Sequence, residues 1–229
     1  MGLHLRSFPS VLALLAAASC VPTAVLDRPD HLTAGALLEP DSAISDQLRR
    51  ELRRVYAAGL SLTKRSEGWS ASLYHDVARY CTIGYGHLIK KAACDGSESM
   101  EFRNGITEPR GEELLVGDLA TAQSTVASAV TAKLTDGQFA ALVDFVFNVG
   151  GANFRNSSLL RVVNAGETNS VPVQLRRWVF AKGKAWPGLQ TRREGEIDLY
   201  FEGLPRPPAS TELVTPIDIL LGETPGNSP

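Results

Sequence analysis

The sequence contains few cysteines, almost no net charge and no metal-binding motif. Three cysteines in 229 residues are too few for a small domain held together by disulfides. A net charge of −2 gives no support to a dedicated nucleic-acid-binding protein, which usually carries an excess of basic residues. The four histidines stand apart from one another, and neither HExxH nor CxxC occurs. A glycine-rich phosphate loop and the GxSxG motif are also missing, so the sequence predicts no metal, nucleotide or other cofactor.

The composition is typical of a folded protein rather than a disordered one, with 44% hydrophobic and 21% charged residues. The length suits one domain with extensions at its ends. We expect that domain to cover residues 41–204, preceded by a linker at residues 27–40. Residues 205–229 hold six of the 13 prolines and show no amphipathic period, which predicts a mostly disordered tail.

The first 26 residues have the pattern of a secretory targeting segment. Arg6 precedes an uncharged stretch in which Val11 to Ala18 form a short apolar core followed by small residues. Three interpretations are open: a cleaved signal peptide, a lipoprotein signal acylated at Cys20, and a retained anchor over residues 7–26. The last approaches the ~20 residues that a membrane helix needs. All three predict export to the periplasm or the extracellular space, with membrane attachment only through this segment.

Apolar periodicity predicts a mainly helical domain with one small β element. Residues 42–66 show an apolar stripe at three- and four-residue spacing, which predicts a helix. Two short β-prone runs, residues 72–76 and 81–86, are a candidate hairpin. Thr135 and Gln138 form a capping box in front of the most clearly amphipathic helix. Further helices are predicted over residues 108–132, 158–164, 171–180 and 192–201. The fold class is therefore α+β with segregated parts.

Two carboxylates, Glu67 and Asp76, are candidates for acid–base chemistry. They are nine residues apart, one at the end of a predicted helix and the other at the predicted hairpin turn. Hydrolysis of a glycosidic bond needs one protonated carboxyl group, which gives its proton to the leaving oxygen, and one ionised carboxylate, which acts at the anomeric carbon. Spacing alone does not distinguish this pair from two solvated acidic residues.

The residues around this pair form a longer pattern. TIGYGH begins at Thr82, six residues after Asp76. LTDGQFAALVDFVFNVG, FRNSSLLRVVNAGE and RRW…PGLQTRREGEIDLY follow in that order. Over about residues 45–203, these motifs resemble the phage-type lysozymes, the endolysins of glycoside hydrolase family 24. The resemblance implies a lysozyme-like fold, in which a small β-hairpin lobe and a larger helical lobe are joined by a long helix and enclose a cleft.

The resemblance also implies catalytic roles. Glu67 would be the general acid, while Asp76 and the Thr82 hydroxyl would hold and activate the water that attacks C1 with inversion. The residues expected along the cleft are Gly84, Gly86, Leu88, Phe147, Asn148, Arg192 and Arg193. For the two arginines, a structural salt bridge is the alternative. The sequence departs from the family in the turn after Asp76, where residues 77–79 lack the usual glycine.

Two pairings also follow from the resemblance. His87 and Asp118 are expected to form a buried or half-buried pair that ties the lobes together, which is a structural rather than a catalytic role. Some family members have cysteines at the positions of Cys81 and Cys94, so a disulfide is expected there, with two free thiols as the alternative. Exchange of this disulfide with Cys20 is a regulatory hypothesis.

The predicted function is that of a muramidase. It would hydrolyse the β-1,4 bond between N-acetylmuramic acid and N-acetylglucosamine in bacterial peptidoglycan, as a monomer, without a cofactor or a nucleic-acid partner. Two alternatives are a lytic transglycosylase, which closes an anhydro ring without water, and a non-catalytic cell-wall-binding module on the same fold. Asp76 and Thr82 favour hydrolysis, because they are the groups that an attacking water needs.

Overall fold

The computed structural model describes residues 57–208 and 215–219. A small antiparallel sheet is followed by a series of helices, which confirms the α+β class. Predictions for residues 1–56, including the targeting segment, Cys20 and most of the first predicted helix, lie outside the described residues. Among the described residues, no helix combines the length and the apolar character needed to cross a membrane.

The small lobe consists of a three-stranded antiparallel sheet that follows the first helix. Helix α1 (Ala57–Glu67) ends at Gly68, which has φ +76° and donates its N–H to the carbonyl of Lys64. The strands β1 (Ser70–His75), β2 (Cys81–Gly84) and β3 (His87–Lys90) pair in chain order, and the short helix α2 (Met100–Arg103) follows them. The predicted hairpin corresponds to β1 and β2. The third strand was not predicted, because four residues show too little alternation to be recognised.

Two consecutive helices link the lobes where one long helix was expected over residues 108–132. They are α3 (Glu108–Asp118) and α4 (Ala120–Ala129). Between them lies the fully buried Leu119, whose ψ of −16° departs from the helical value of about −42°. Gly117 and Asp118, which precede this break, are both weak helix formers. Val130 then takes an extended conformation and ends α4.

Helix α5 (Asp136–Val149) is the centre of the helical lobe. The predicted capping box is present: Gln138 donates its N–H to Thr135 Oγ1 at 3.2 Å, and Thr135 donates its N–H to Gln138 Oε1 at 2.9 Å. Gly150 has φ +89° and ends the helix, as predicted. From Gly137 to Val146 every α5 residue is buried. This helix therefore packs on all sides, and any charged group on it needs a partner inside the protein.

The remaining elements follow α5 along the chain, and the last of them packs against it. They are α6 (Gly151–Asn156), α7 (Ser158–Asn164), α8 (Val171–Arg176), β4 (Phe180–Ala181), β5 (Lys184–Ala185) and α9 (Pro187–Tyr200). The helix predicted over residues 171–180 ends at Arg176, because Phe180 pairs in a two-residue strand. The helix predicted over residues 192–201 begins earlier, at Pro187, because proline is well tolerated in a first helical turn.

Five residues of the predicted tail, 215–219, are ordered against the helical lobe. Ile217 is buried and donates its N–H to the carbonyl of Arg177 at 2.6 Å. Ile219 donates to the carbonyl of Phe180, and Asp218 Oδ2 accepts from the N–H of Gly183. These contacts involve five residues of the tail, and the prediction that the tail is mostly disordered stays a prediction. The high proline content of the tail concealed two isoleucines at alternate positions, which is the spacing of a half-buried extended segment.

Candidate active site

Glu67 is the last residue of α1, and its side chain points to two neighbours. Its Oε1 accepts a hydrogen bond from Arg192 Nη1 at 2.7 Å. Its Oε2 lies 3.9 Å from the position that a Cβ would occupy on Gly86, in the turn between β2 and β3. The side chain is 26% exposed, so this carboxyl group is held in place yet remains open to a ligand.

Asp76 begins the turn between β1 and β2. Its Oδ1 accepts hydrogen bonds from the N–H groups of Ala78 and Tyr80, each at 2.8 Å. The turn closes through Arg79 N–H, which donates to the Asp76 carbonyl at 2.9 Å. Arg79 has φ +67°, the left-handed conformation that glycine adopts without strain. The turn therefore forms without the glycine that is usual in the family, but Arg79 adopts a strained backbone conformation.

Thr82 lies in the middle of the sheet, on β2 between Tyr74 of β1 and Leu88 of β3. The residue is buried, with 2% exposure, and its Oγ1 donates to the carbonyl of Tyr80 at 3.1 Å. Its hydroxyl oxygen retains the capacity to accept a hydrogen bond from a further group.

Tyr74 was not predicted as a site residue, although the charges of both carboxylates act on its hydroxyl. Burial raises the pKa of its hydroxyl, and the negative charges of Glu67 and Asp76 raise it further. Both carboxylates therefore act on the same phenol. A signal was present in the sequence, because Tyr74 and Asp76 are two residues apart and side chains at this spacing share one face of a strand.

Arg192 reaches Glu67 because α9 packs closely against α1. A Cβ at Gly195 would lie only 2.6 Å from Leu62 Cδ1, so glycine at this position allows the close approach. Arg192 is 6% exposed, and it also binds the buried carboxylate of Asp144 on α5. Burial acts to raise the pKa of Asp144, but the charge of Arg192 outweighs burial and the pKa lies below its ordinary value.

Arg193 does not face the cleft, which corrects its expected role in substrate binding. The residue is fully buried. Its Nη2 donates to Glu196 Oε1 at 2.6 Å and to Asn148 Oδ1 at 2.9 Å, while its guanidinium lies over the ring of Phe145. The structural salt bridge, the alternative that the sequence left open, therefore applies to Arg193. Adjacent positions on a helix point in directions about 100° apart, so the sequence did not show which arginine faces the cleft.

The other residues expected along the cleft differ in their accessibility. Gly86 and Leu88 are exposed, and Phe147 and Asn148 are half-buried near the end of α5. Gly86 lies next to Glu67, whose Oε2 is 3.9 Å from the position of a Cβ on this glycine. Gly84 instead faces the interior of the small lobe, because a Cβ there would lie 3.4 Å from Ile106 Cδ1.

The two expected pairings are both present. His87 Nδ1 lies 2.9 Å from Asp118 Oδ2, and both side chains are half-buried. This contact joins β3 to the end of α3. Cys81 and Cys94 form a disulfide that ties β2, immediately before Thr82, to the loop after β3. The neighbouring Glu98 is already bound by Lys90 Nζ at 2.7 Å, so the disulfide and this carboxylate do not form an open metal site.

Sequence comparisons relate the chain to phage lysozymes and endolysins. A family model described as phage lysozyme matches residues 64–196, more than half of the chain. A SAR-endolysin of Bacteriophage PS119 is 38% identical over 137 residues, which are 60% of this chain and 77% of the relative. A SAR-endolysin of Enterobacteria phage PA-2 is 36% identical over 149 residues, 65% of this chain and 86% of the relative.

Solved structures resemble the chain in the same region. The endolysin from Escherichia coli O157:H7 phage FAHEc1 has a TM-score of 0.57 and 28% identity, and the match covers 67% of this chain and 97% of that one. The muramidase domain of SpmX from Asticaccaulis excentricus has a TM-score of 0.56 and 29% identity, and the match covers 65% of this chain and 97% of that one. The chain therefore belongs to the phage lysozyme family and is a peptidoglycan-lytic enzyme of the lysozyme type.

Proposed function

We propose that the chain is a muramidase that hydrolyses the β-1,4 bond between N-acetylmuramic acid and N-acetylglucosamine with inversion at the anomeric carbon. The observation that carries this proposal is the arrangement around Glu67. Arg192 fixes Oε1, while Oε2 faces the Gly86 turn of the sheet that also bears Asp76 and Thr82. An acid on one side of a cleft and a water-binding pair on the other is what an inverting glycosidase requires.

Glu67 acts as the general acid in this proposal. Its Oε2 carries the proton and gives it to the glycosidic oxygen as the bond breaks. The bond from Arg192 keeps the carboxyl group from rotating away, so the proton is presented in one direction. Because Gly86 has no side chain, a sugar ring can approach this oxygen closely.

Asp76 and Thr82 act on the nucleophile. The two amide donors of the turn hold Asp76 Oδ1, and Oδ2 would take a proton from the attacking water. The Thr82 oxygen would accept the other proton of that water in a hydrogen bond, so that a lone pair of the water points at C1. Tyr74, which lies in the field of both carboxylates, would line the same space.

Exposed and half-buried side chains, two apolar and one an amide, would complete the substrate site. Leu88 on β3 is 40% exposed, and Phe147 and Asn148 lie half-buried near the end of α5. These side chains are suited to contact the faces and the N-acetyl groups of the sugars. We expect the enzyme to act as a monomer.

Export is part of the proposal. Disulfides persist in oxidising compartments such as the periplasm, so the Cys81–Cys94 bond supports an enzyme that works outside the cytoplasm. The N-terminal sequence pattern supports the same conclusion. The manner of attachment of that segment, and an exchange of the disulfide with Cys20, stay hypotheses.

The test is mass spectrometry of the soluble products released by the full chain from isolated peptidoglycan. Reducing-end muropeptides that disappear in Glu67→Gln, but persist in the matched control Glu113→Gln on the exposed face of α3, support the muramidase. Incorporation of ¹⁸O from water at C1, with the anomer assigned by NMR, tests inversion. Anhydro-ended products would instead identify a lytic transglycosylase, and a folded protein that binds peptidoglycan without releasing products would identify a binding module.

A further inference from the structure

A buried cluster of charged side chains lies behind Glu67. Arg192 occupies its centre, between the partly exposed Glu67 and the fully buried Asp144. Thr63 of α1 donates its hydroxyl to Asp144 Oδ1 at 2.8 Å, and Glu196 of α9 lies 3.9 Å from Arg192 Nε. The cluster joins α1, α5 and α9, the three helices that meet behind the acid. The catalytic roles described above use none of these groups except Glu67 and Arg192.

The contact between Asp144 and Arg192 is a two-point one. Arg192 Nε donates to Asp144 Oδ2 at 2.8 Å, and Arg192 Nη2 donates to Oδ1 at 3.0 Å. Two parallel bonds between a planar guanidinium and a carboxylate fix the orientation of both groups. The remaining amino group, Nη1, then points to Glu67 Oε1. The direction in which Arg192 meets the acid is thus set by Asp144, which Thr63 holds in turn.

We propose that Asp144 is a positioning residue for Glu67 and acts through Arg192 in two ways: its carboxylate orients the guanidinium, and its negative charge balances the positive charge that Arg192 brings to the acid. This inference rests on the proposed function, in which Glu67 is a proton donor. Asp144 itself is 1% exposed and does not touch the substrate.

Charge balance matters because a general acid has to hold its proton until the reaction occurs. A guanidinium 2.7 Å from a carboxyl group stabilises the ionised form of that group. A carboxylate on the far side of the same guanidinium offsets this effect. The charged and titratable groups that face Arg192 and Glu67 from the surrounding elements are Asp144 of α5, Glu196 and Arg193 of α9, and Tyr74 of β1, whose pKa Asp76 also raises.

The first experiment compares pH–rate profiles of the full chain with and without Asp144→Asn, a substitution that keeps the shape of the side chain and removes its charge. The alkaline limb, on which the acid loses its proton, is expected to move to lower pH by about one unit, the size of the effect of one charge at this range. At pH values on the alkaline limb, kcat falls about tenfold for such a shift, and KM is unchanged. Asp136→Asn, at the exposed first turn of the same helix, is the matched control and leaves the profile in place.

The Thr63→Val variant tests the orientation of the Asp144 carboxylate separately from its charge. It removes the hydroxyl that holds Asp144 but leaves every charge present, so kcat falls several-fold and the alkaline limb stays in place. In an Arg192→Gln background, the buried Asp144 has lost its counter-charge and takes up a proton, so Asp144→Asn should move the limb no further. If Asp144→Asn does not fold by circular dichroism, Thr63→Val carries the test, and an unchanged kcat would overturn the proposal.

Failure of this inference is distinguishable from failure of the proposed function. The inference alone is overturned if wild-type turnover depends on Glu67 but Asp144→Asn only lowers the melting temperature. In that case the alkaline limb of the variant's pH–rate profile lies where the wild-type limb does. Turnover that survives Glu67→Gln overturns the proposed function and the inference with it.

Discussion

The Cys81–Cys94 disulfide should contribute about 3 kcal/mol to the free energy of unfolding. The bond closes a loop with a sequence separation of 13 residues. In the chain-entropy treatment, a cross-link over about 14 residues removes roughly 10 cal/mol/K from the unfolded chain, which is about 3 kcal/mol at 25 °C. The loop has contacts of its own, since β2 and β3 pair within it and Cys81 donates its N–H to the carbonyl of Ala92 at 2.7 Å. These contacts hold the folded loop with or without the cross-link, so the difference arises in the unfolded state.

The assay is urea unfolding followed by circular dichroism, applied to the wild type and to the Cys81→Ala/Cys94→Ala double variant. The double variant should lose about 3 kcal/mol, or slightly more because the Cys81 side chain is fully buried. A thiol reductant should bring the wild type to the same value and leave the variant unchanged. Cys20→Ser is the control and should match the wild type. A loss below about 1 kcal/mol would refute the reasoning, because it would mean that the unfolded chain keeps this loop closed without the bond.

Four further predictions follow from the structure. Arg193→Met should lower the free energy of unfolding by about 3 kcal/mol, because Glu196 stays buried without its partner. The double variant Arg193→Met/Glu196→Gln should regain part of that stability. KM of the folded enzyme should stay at the wild-type value. Arg79→Gly should raise the free energy of unfolding by about 0.5–1 kcal/mol, because it relieves a left-handed conformation. Ile217→Ala should lower the free energy of unfolding by about 2–4 kcal/mol in urea titrations, since the side chain is buried against the helical lobe. The lowered pKa of Asp144 stabilises the fold above the ordinary Asp value of about 3.8, so stability should fall as pH drops through the native pKa, and Asp144→Asn should flatten this acid limb.

Two control substitutions accompany these measurements. Ala78→Gly lies in the same turn as Arg79, but its φ is not positive, so it should not stabilise the protein. Val77→Ala, at a side chain that is 99% exposed, should change the free energy of unfolding by less than about 0.5 kcal/mol.

A rise in KM for Arg193→Met without a loss of stability would contradict the buried position of this arginine. An Ile217→Ala variant as stable as Val77→Ala would contradict the packing of residues 215–219.

Short sequence motifs correctly predicted those features that depend on residues close together in the chain. The capping box of Thr135 and Gln138 gave the start of α5, because both bonds form within one helical turn. The acidic residues and Thr82 were recognised from a pattern that spans only 16 residues, Glu67 to Thr82. Helix ends were less well predicted. The break at Leu119 and the early start of α9 at Pro187 depend on how buried side chains fit together, which a periodic pattern does not contain.

The sequence by itself determined the fold class, the family resemblance and the identity of the candidate acid, since each is carried by short motifs or by periodicity. Only the tertiary structure decided between Arg192 and Arg193, because one helical step turns the first toward Glu67 and buries the second beside Glu196. It alone also brought Asp144 to the acid, across 77 residues of chain, through the contact of α1, α5 and α9. Charges so far apart in sequence act strongly on one another only where folding brings them together and excludes water between them, and that exclusion is a property of the packed helices.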